Sequence, residues 1–122
     1  MEIFTFDRDE RIVTAHGSVG LHVTRVASGA PEDTGGHPTF LAFLTVEPGG
    51  TIGTHPATGP QLLLVTAGSG WVAGADGERV PITAGQAVRW DKGELHTSGT
   101  DSGFSALALD GPHLTPFAPE GP

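Results

Sequence analysis

Apolar and polar residues change places at short intervals along this chain, with a period near two and breaks at glycine and proline. Val19 to Ala27 alternates, with Val19, Leu21 and Val23 on one face and His22, Thr24 and Arg25 between them, which predicts a strand. Residues 28–38 read as a polar loop rich in Gly and Pro. Phe40 to Val46 is almost continuously apolar, the pattern of a strand covered on both faces, and Pro48-Gly49-Gly50 is expected to force a turn after it. Gln61 to Thr66 and Trp71 to Ala73 predict two more strands on either side of Gly68-Ser69-Gly70. Asp76-Gly77 predicts a two-residue hairpin, because a type I′ turn needs positive φ at both central positions. Val80 to Thr83, Ala87 to Trp90, His96 to Ser98 and Phe104 to Leu109 complete the series.

No helical period, internal repeat or dividing linker interrupts this pattern. Regularly spaced short strands predict an all-β sandwich or barrel. One domain is expected over residues 1–122, with a barrel core at about 18–110. Residues 1–17 would be an N-terminal arm, its first part an edge strand or a packing arm. The proline-bearing tail 111–122 would be extended or disordered. Nineteen Gly and ten Pro among 122 residues agree with many turns and short elements.

Charge and composition narrow the partners. The formal net charge of −8 argues against nucleic acid and anionic membranes. No apolar stretch approaches the roughly 20 residues of a membrane span. The first residues, MEIFTFDRDER, carry acidic side chains before any apolar core, unlike a secretory signal. The chain has no cysteine, so disulfides, thiolate nucleophiles and zinc-finger sites are excluded. A cytoplasmic location is the default expectation.

Two glycine-framed stretches carry the candidate chemistry: GGTIGTHPATGPQLLLVTAG from Gly49 to Gly68, and GQAVRWDKGELHTSGT from Gly85 to Thr100. Together they resemble the two signature motifs of the cupin superfamily. Gly49, His55, Ala57, Gln61 and Gly68 fall on the first motif, with Ala57 in place of its second histidine and Gln61 in place of its glutamate. Gly85, Gly93 and His96 match the second, with Asp91 in place of a proline and Thr100 in place of an asparagine. The resemblance covers about residues 49–100. It implies a double-stranded β-helix, or jelly-roll-like, barrel, a divalent metal at His55, Gln61 and His96, and a homodimer formed by sheet contacts or exchanged arms.

The residues support a site on their own terms. Pro56-Ala57-Thr58-Gly59-Pro60 is a turn-forming segment that can bring the ends of two strands together. His96 follows a second glycine-containing turn and can approach across a barrel. Imidazole suits Zn, Fe, Ni, Cu and Mn. A Gln carbonyl can coordinate without bringing negative charge, so such a site binds metal more weakly than one with a carboxylate and leaves the ion a stronger Lewis acid. Asp91 and Glu94, close to His96 in sequence, are candidate replacements for the missing ligands. His16, His22, His37 and His113 match no motif position, and only His22 lies within a strand pattern.

If Gln61 points inward, alternation sends Leu63 and Val65 with it, and Ser98 shares the face of His96. Val88 and Trp90 share one face of their strand, Phe43 is a neighbour from the strand before, and Ala57 leaves an opening. Such a pocket is apolar and aromatic with polar groups at one end, as small-molecule sites are. Three functions fit: a metal-dependent enzyme of isomerase, cyclase, lyase or dioxygenase type; a binding or sensor module that has lost its chemistry; and a metal-free enzyme using His and an acidic residue. The chain has no tyrosine, so a phenolic acid or base is excluded.

Overall fold

A computed structural model of the chain describes residues 1–30, 38–111 and 114–117. Most of the expected 28–38 loop, much of the tail, and His37 and His113 lie outside the described residues. The strands are β1 (Glu10–Val13), β2 (Val19–Gly29), β3 (Thr39–Pro56), β4 (Gln61–Ala73), β5 (Val80–Thr83), β6 (Ala87–Trp90), β7 (Leu95–Gly99) and β8 (Phe104–Asp110). All pairings are antiparallel.

Two long strands build the barrel by serving both of its walls. The first part of β3 lies between β2 and β8, and its last part pairs with β7. The first part of β4 lies between β8 and β6, and its last part between β7 and β5. The expected turn at Pro48-Gly49-Gly50 is therefore a corner inside the 18-residue β3, since pairing resumes at Thr51, opposite Val19 and Gly99. Gly68-Ser69-Gly70 likewise bends a continuous β4. Glycine is required at these corners because the strands touch there. A Cβ on Gly68, which has φ +80°, would lie 2.2 Å from the Gly103 carbonyl oxygen, and one on Gly70 would lie 2.2 Å from that of Gly99.

The hairpin at Asp76-Gly77 also differs from its expectation. Of those two residues only Gly77 has positive φ, and its N–H donates to the Gly74 carbonyl. The Asp76 carboxylate accepts from the Glu78 N–H in an Asx turn, and strand pairing stops at Val72 opposite Val80, so the connection is a longer loop than a type I′ pair.

The core lies between the walls: Leu21, Leu44, Val46, Leu63, Val65, Val72, Ile82, Trp90, Phe104 and Ala106. Burying each large member stabilises the fold by about 1.5–3 kcal/mol. The opposite face of the β3–β8–β4 wall is also apolar. Phe43 pairs in register with Leu107, and Leu107 with Leu64, so these side chains share the outside. The Phe6 ring meets Phe43 edge-on at 6.5 Å, so the N-terminal segment covers part of this face. Among the described residues no helix is long and apolar enough to cross a membrane.

Candidate functional site

Pairing of β3 with β7 sets His55 directly opposite His96, with ring centroids 4.2 Å apart. His96 and Ser98, two residues apart on β7, are both buried, which places them on the interior face. Trp90, at the end of β6, packs against His96 at 4.4 Å. On the other side, His16 stacks on His55 at 4.7 Å with 10° between the rings. The result is a continuous row of aromatic rings, His16–His55–His96–Trp90, at one end of the barrel.

Backbone contacts fix the two central imidazoles. His55 Nδ1 lies 2.7 Å from the Gly53 carbonyl oxygen, and His96 Nδ1 lies 3.1 Å from that of Glu94. A carbonyl only accepts, so each Nδ1 carries a hydrogen, and the tautomer this selects has its lone pair on Nε2. Metal-binding imidazoles are oriented in the same way. Burial pushes the His96 pKa below its ordinary value and neighbouring His55 adds to this, opposed by the Glu94 carbonyl and the Glu94 and Asp110 carboxylates. His96 is therefore neutral at neutral pH.

His16 holds its place through backbone geometry. It is the one non-glycine residue with positive φ among the described residues, at 59°, in a short 3-10 turn, Ala15–Gly17. That turn packs on Gly53, where a Cβ would lie 1.9 Å from the His16 carbonyl oxygen. The Gly53 N–H also donates to Ser18 Oγ at 2.9 Å, so Gly53 and Ser18 together hold His16 against His55.

On the facing wall, Leu63 and Val65 are buried in the core, and alternation places half-buried Gln61 on their face. Gln61 pairs with Trp90 on one side and Asp110 on the other. Val88 packs against the core on the same face as Trp90. Ala57 is buried, with its N–H on the Glu94 carbonyl and its C=O accepting from Gly93, so it ties the end of β3 to the turn before β7. Phe43 does not join this group. Leu44 and Val46 fill the interior, and alternation turns Phe43 to the outer face, against Phe6.

The other candidates have structural occupations. Glu94 Oε1 accepts from the Asp91 N–H at 3.1 Å, so these two residues close their own turn, and the Asp91 side chain is exposed. His22 lies on the outer face, between Glu10 and Glu47. Among the described residues no group of three or more His, Cys, Asp or Glu side chains is arranged to hold a metal ion. The fold sets the His55 and His96 imidazoles side by side, and Gln61 lies on the inner face of the facing strand, beside Trp90.

Two residues of this end were missed from sequence, His16 and Asp110. Phe104 and Ala106 are buried and Ala108 packs on the core, so the same alternation carries Asp110 to the interior face of β8. The signal was present in the sequence as one more step of the strand period. No comparable local signal marks His16.

The sequence profile of the Cupin domain family matches residues 42–110. Many solved structures share the fold. The polyketide cyclase RemF from Streptomyces resistomycificus superposes with a TM-score of 0.73 at 19% identity, over 91% of this chain and 79% of that one. A predicted oxalate decarboxylase from Thermotoga maritima gives 0.70 at 21% identity, over 88% and 96%. A Cupin 2 conserved barrel domain protein from Salinispora arenicola gives 0.66 at 26% identity, over 89% and 87%. No curated protein matches the chain by sequence.

Proposed function

Because the chain belongs to the Cupin domain family, we propose that its barrel binds a small organic molecule at the His55–His96 end, where His55, Gln61 and His96 hold a divalent transition metal. The observation that carries this reading is the pair of adjacent imidazoles whose Nδ1 atoms are committed to carbonyls, leaving both Nε2 lone pairs available. Zn, Ni, Mn, Fe or Cu bound there would supply Lewis acidity to an oxygen of the ligand. Gln61 contributes a neutral oxygen, so it leaves that acidity undiminished. Leu63, Val65, Val88 and Trp90 form an apolar wall that orients the ligand and excludes water. The reaction class that fits is isomerisation, cyclisation or lyase chemistry. A polyketide cyclase and a predicted oxalate decarboxylase among the structural neighbours are built on the same barrel.

The second reading is a binding or sensor module without catalysis. It is favoured by the methyl group of Ala57 and by the lack, among the described residues, of any group of three or more His, Cys, Asp or Glu side chains arranged to hold a metal ion. Elemental analysis of protein purified without added metal or a histidine tag separates the two. The expected result is metal near one ion per chain, lost in a His96→Ala variant that still folds. Protein that takes up none of these five metals would overturn the metal-dependent reading and leave a metal-free barrel, of which the binding module is one form, and full occupancy in His96→Ala would remove the ligand assignment.

A further inference from the structure

One buried side-chain oxygen at this end makes no hydrogen bond. Asp110 Oδ1 is buried and is the only such side-chain atom among the described residues that makes no hydrogen bond. The other carboxylate oxygen accepts from Thr58 Oγ1 at 3.2 Å. Asp110 faces the interior from the end of β8, beside Gln61 on β4, and its charge reaches His96. Leaving a buried acceptor unmade is costly, and native structures that do so usually keep the atom for a ligand, an ion or a water. None of the cupin motif positions falls on residue 110.

The residue does not earn its place as a strand former. Asp is depleted in strands, and β8 otherwise places Phe104, Ala106 and Ala108 on this face. The Thr58 hydroxyl alone could be served by any small acceptor. What a carboxylate adds is a second, buried oxygen that accepts strongly from O–H or N–H.

We propose that Asp110 Oδ1 is the hydrogen-bond acceptor for a hydroxyl of the bound molecule, and that the ligand is a hydroxyl-bearing ring compound with its apolar part against Trp90 and the aliphatic wall. The family motifs place chemistry on His55, Gln61 and His96; Asp110 is a separate specificity residue, delivered by another strand. This rests on the small-molecule reading of the barrel and is independent of the metal. The amide of Gln61 and the Nε2 atoms of the imidazoles remain for the rest of the ligand.

Phenol and anisole test the assignment, because they differ in the donor hydrogen while keeping the ring. Titration of each into protein with ¹⁵N-labelled histidine, followed through the His55 and His96 ring nitrogens, should show phenol binding at least tenfold more tightly than anisole. Asp110→Ala should erase that preference by weakening phenol alone. Asp110→Asn, which keeps the shape, should melt no lower than wild type. Equal affinity for the two probes in wild type, or a preference that survives in Asp110→Ala, overturns the role of Asp110 and leaves the pocket standing. An Asp110→Asn variant that unfolds or melts several degrees lower makes the residue structural and also overturns it. If neither probe moves an imidazole signal, the pocket reading itself fails.

Discussion

At the corner end of the barrel, Thr100 donates through Oγ1 to the Ser69 carbonyl at 2.6 Å and accepts at the same atom from the Gly103 N–H at 2.8 Å. Its backbone closes the contact, with Gly49 N–H on the Thr100 carbonyl and the Thr100 N–H on Gly50. At the His55–His96 end, two imidazole lone pairs and a buried carboxylate oxygen are left without protein partners. One end of the barrel satisfies its buried polar groups internally, and the other holds polar groups in reserve. On the small-molecule reading proposed above, that difference would separate stability from recognition within one small fold. It also explains a departure from the family pattern: Thr100, in place of the expected asparagine, belongs to the corner and does not touch the candidate site.

The contrast can be broken most forcefully at the corner. Gly68→Ala places a Cβ into the Gly103 backbone at a residue with φ +80°, and should cost about 3 kcal/mol from the strained conformation and overlap combined. Urea unfolding measures this, and a loss below roughly 1 kcal/mol would show that the corner can relax. Thr100→Val keeps the shape but strands the Ser69 carbonyl and the Gly103 N–H, for about 2 kcal/mol by the same measurement.

The smallest effect belongs to the site end and is a pH dependence. The folded-state pKa of His96 lies below its ordinary value of 6.5, so in acid the unfolded chain binds more protons than the native one. The contribution of neutral His96 is complete above about pH 6.5 and is lost as pH falls through the folded-state value. Melting temperatures of metal-free protein should therefore decline on acidification below 6.5, and His96→Gln should flatten that decline. An unchanged slope in the variant would assign the acid sensitivity to other groups.

The sequence made some of this legible because local rules and the final fold agree. Val80–Thr83 and Ala87–Trp90 are bounded by glycine-rich turns, and their predicted limits are the observed ones. His55 and His96 could be paired because both fall on motif positions, His55 just before one glycine-containing turn and His96 just after another. Phe43 was harder. A continuously apolar run such as Phe40–Val46 has no period to say which side faces in, and the outer face of β3 is itself covered by Phe6. Gly49-Gly50 carries the same local signal whether the chain reverses or merely bends. Only the partner strands β2 and β7, distant in sequence, decide between the two. His16 is set by a left-handed backbone against a glycine on another strand, a contact with no local signature.

The placement of β8 between β3 and β4 carries a consequence for how the molecule is made. Those two strands lie far upstream in the chain, and they have no direct pairing with one another along this wall. As the polypeptide leaves the ribosome, the facing edges of both must wait, unpaired, for a strand that is synthesised well after them. The last residue of that strand is Asp110. The candidate site thus comes into being in the same event that seals the barrel, and any ligand that engages Asp110 would select chains that have finished folding from those that have not.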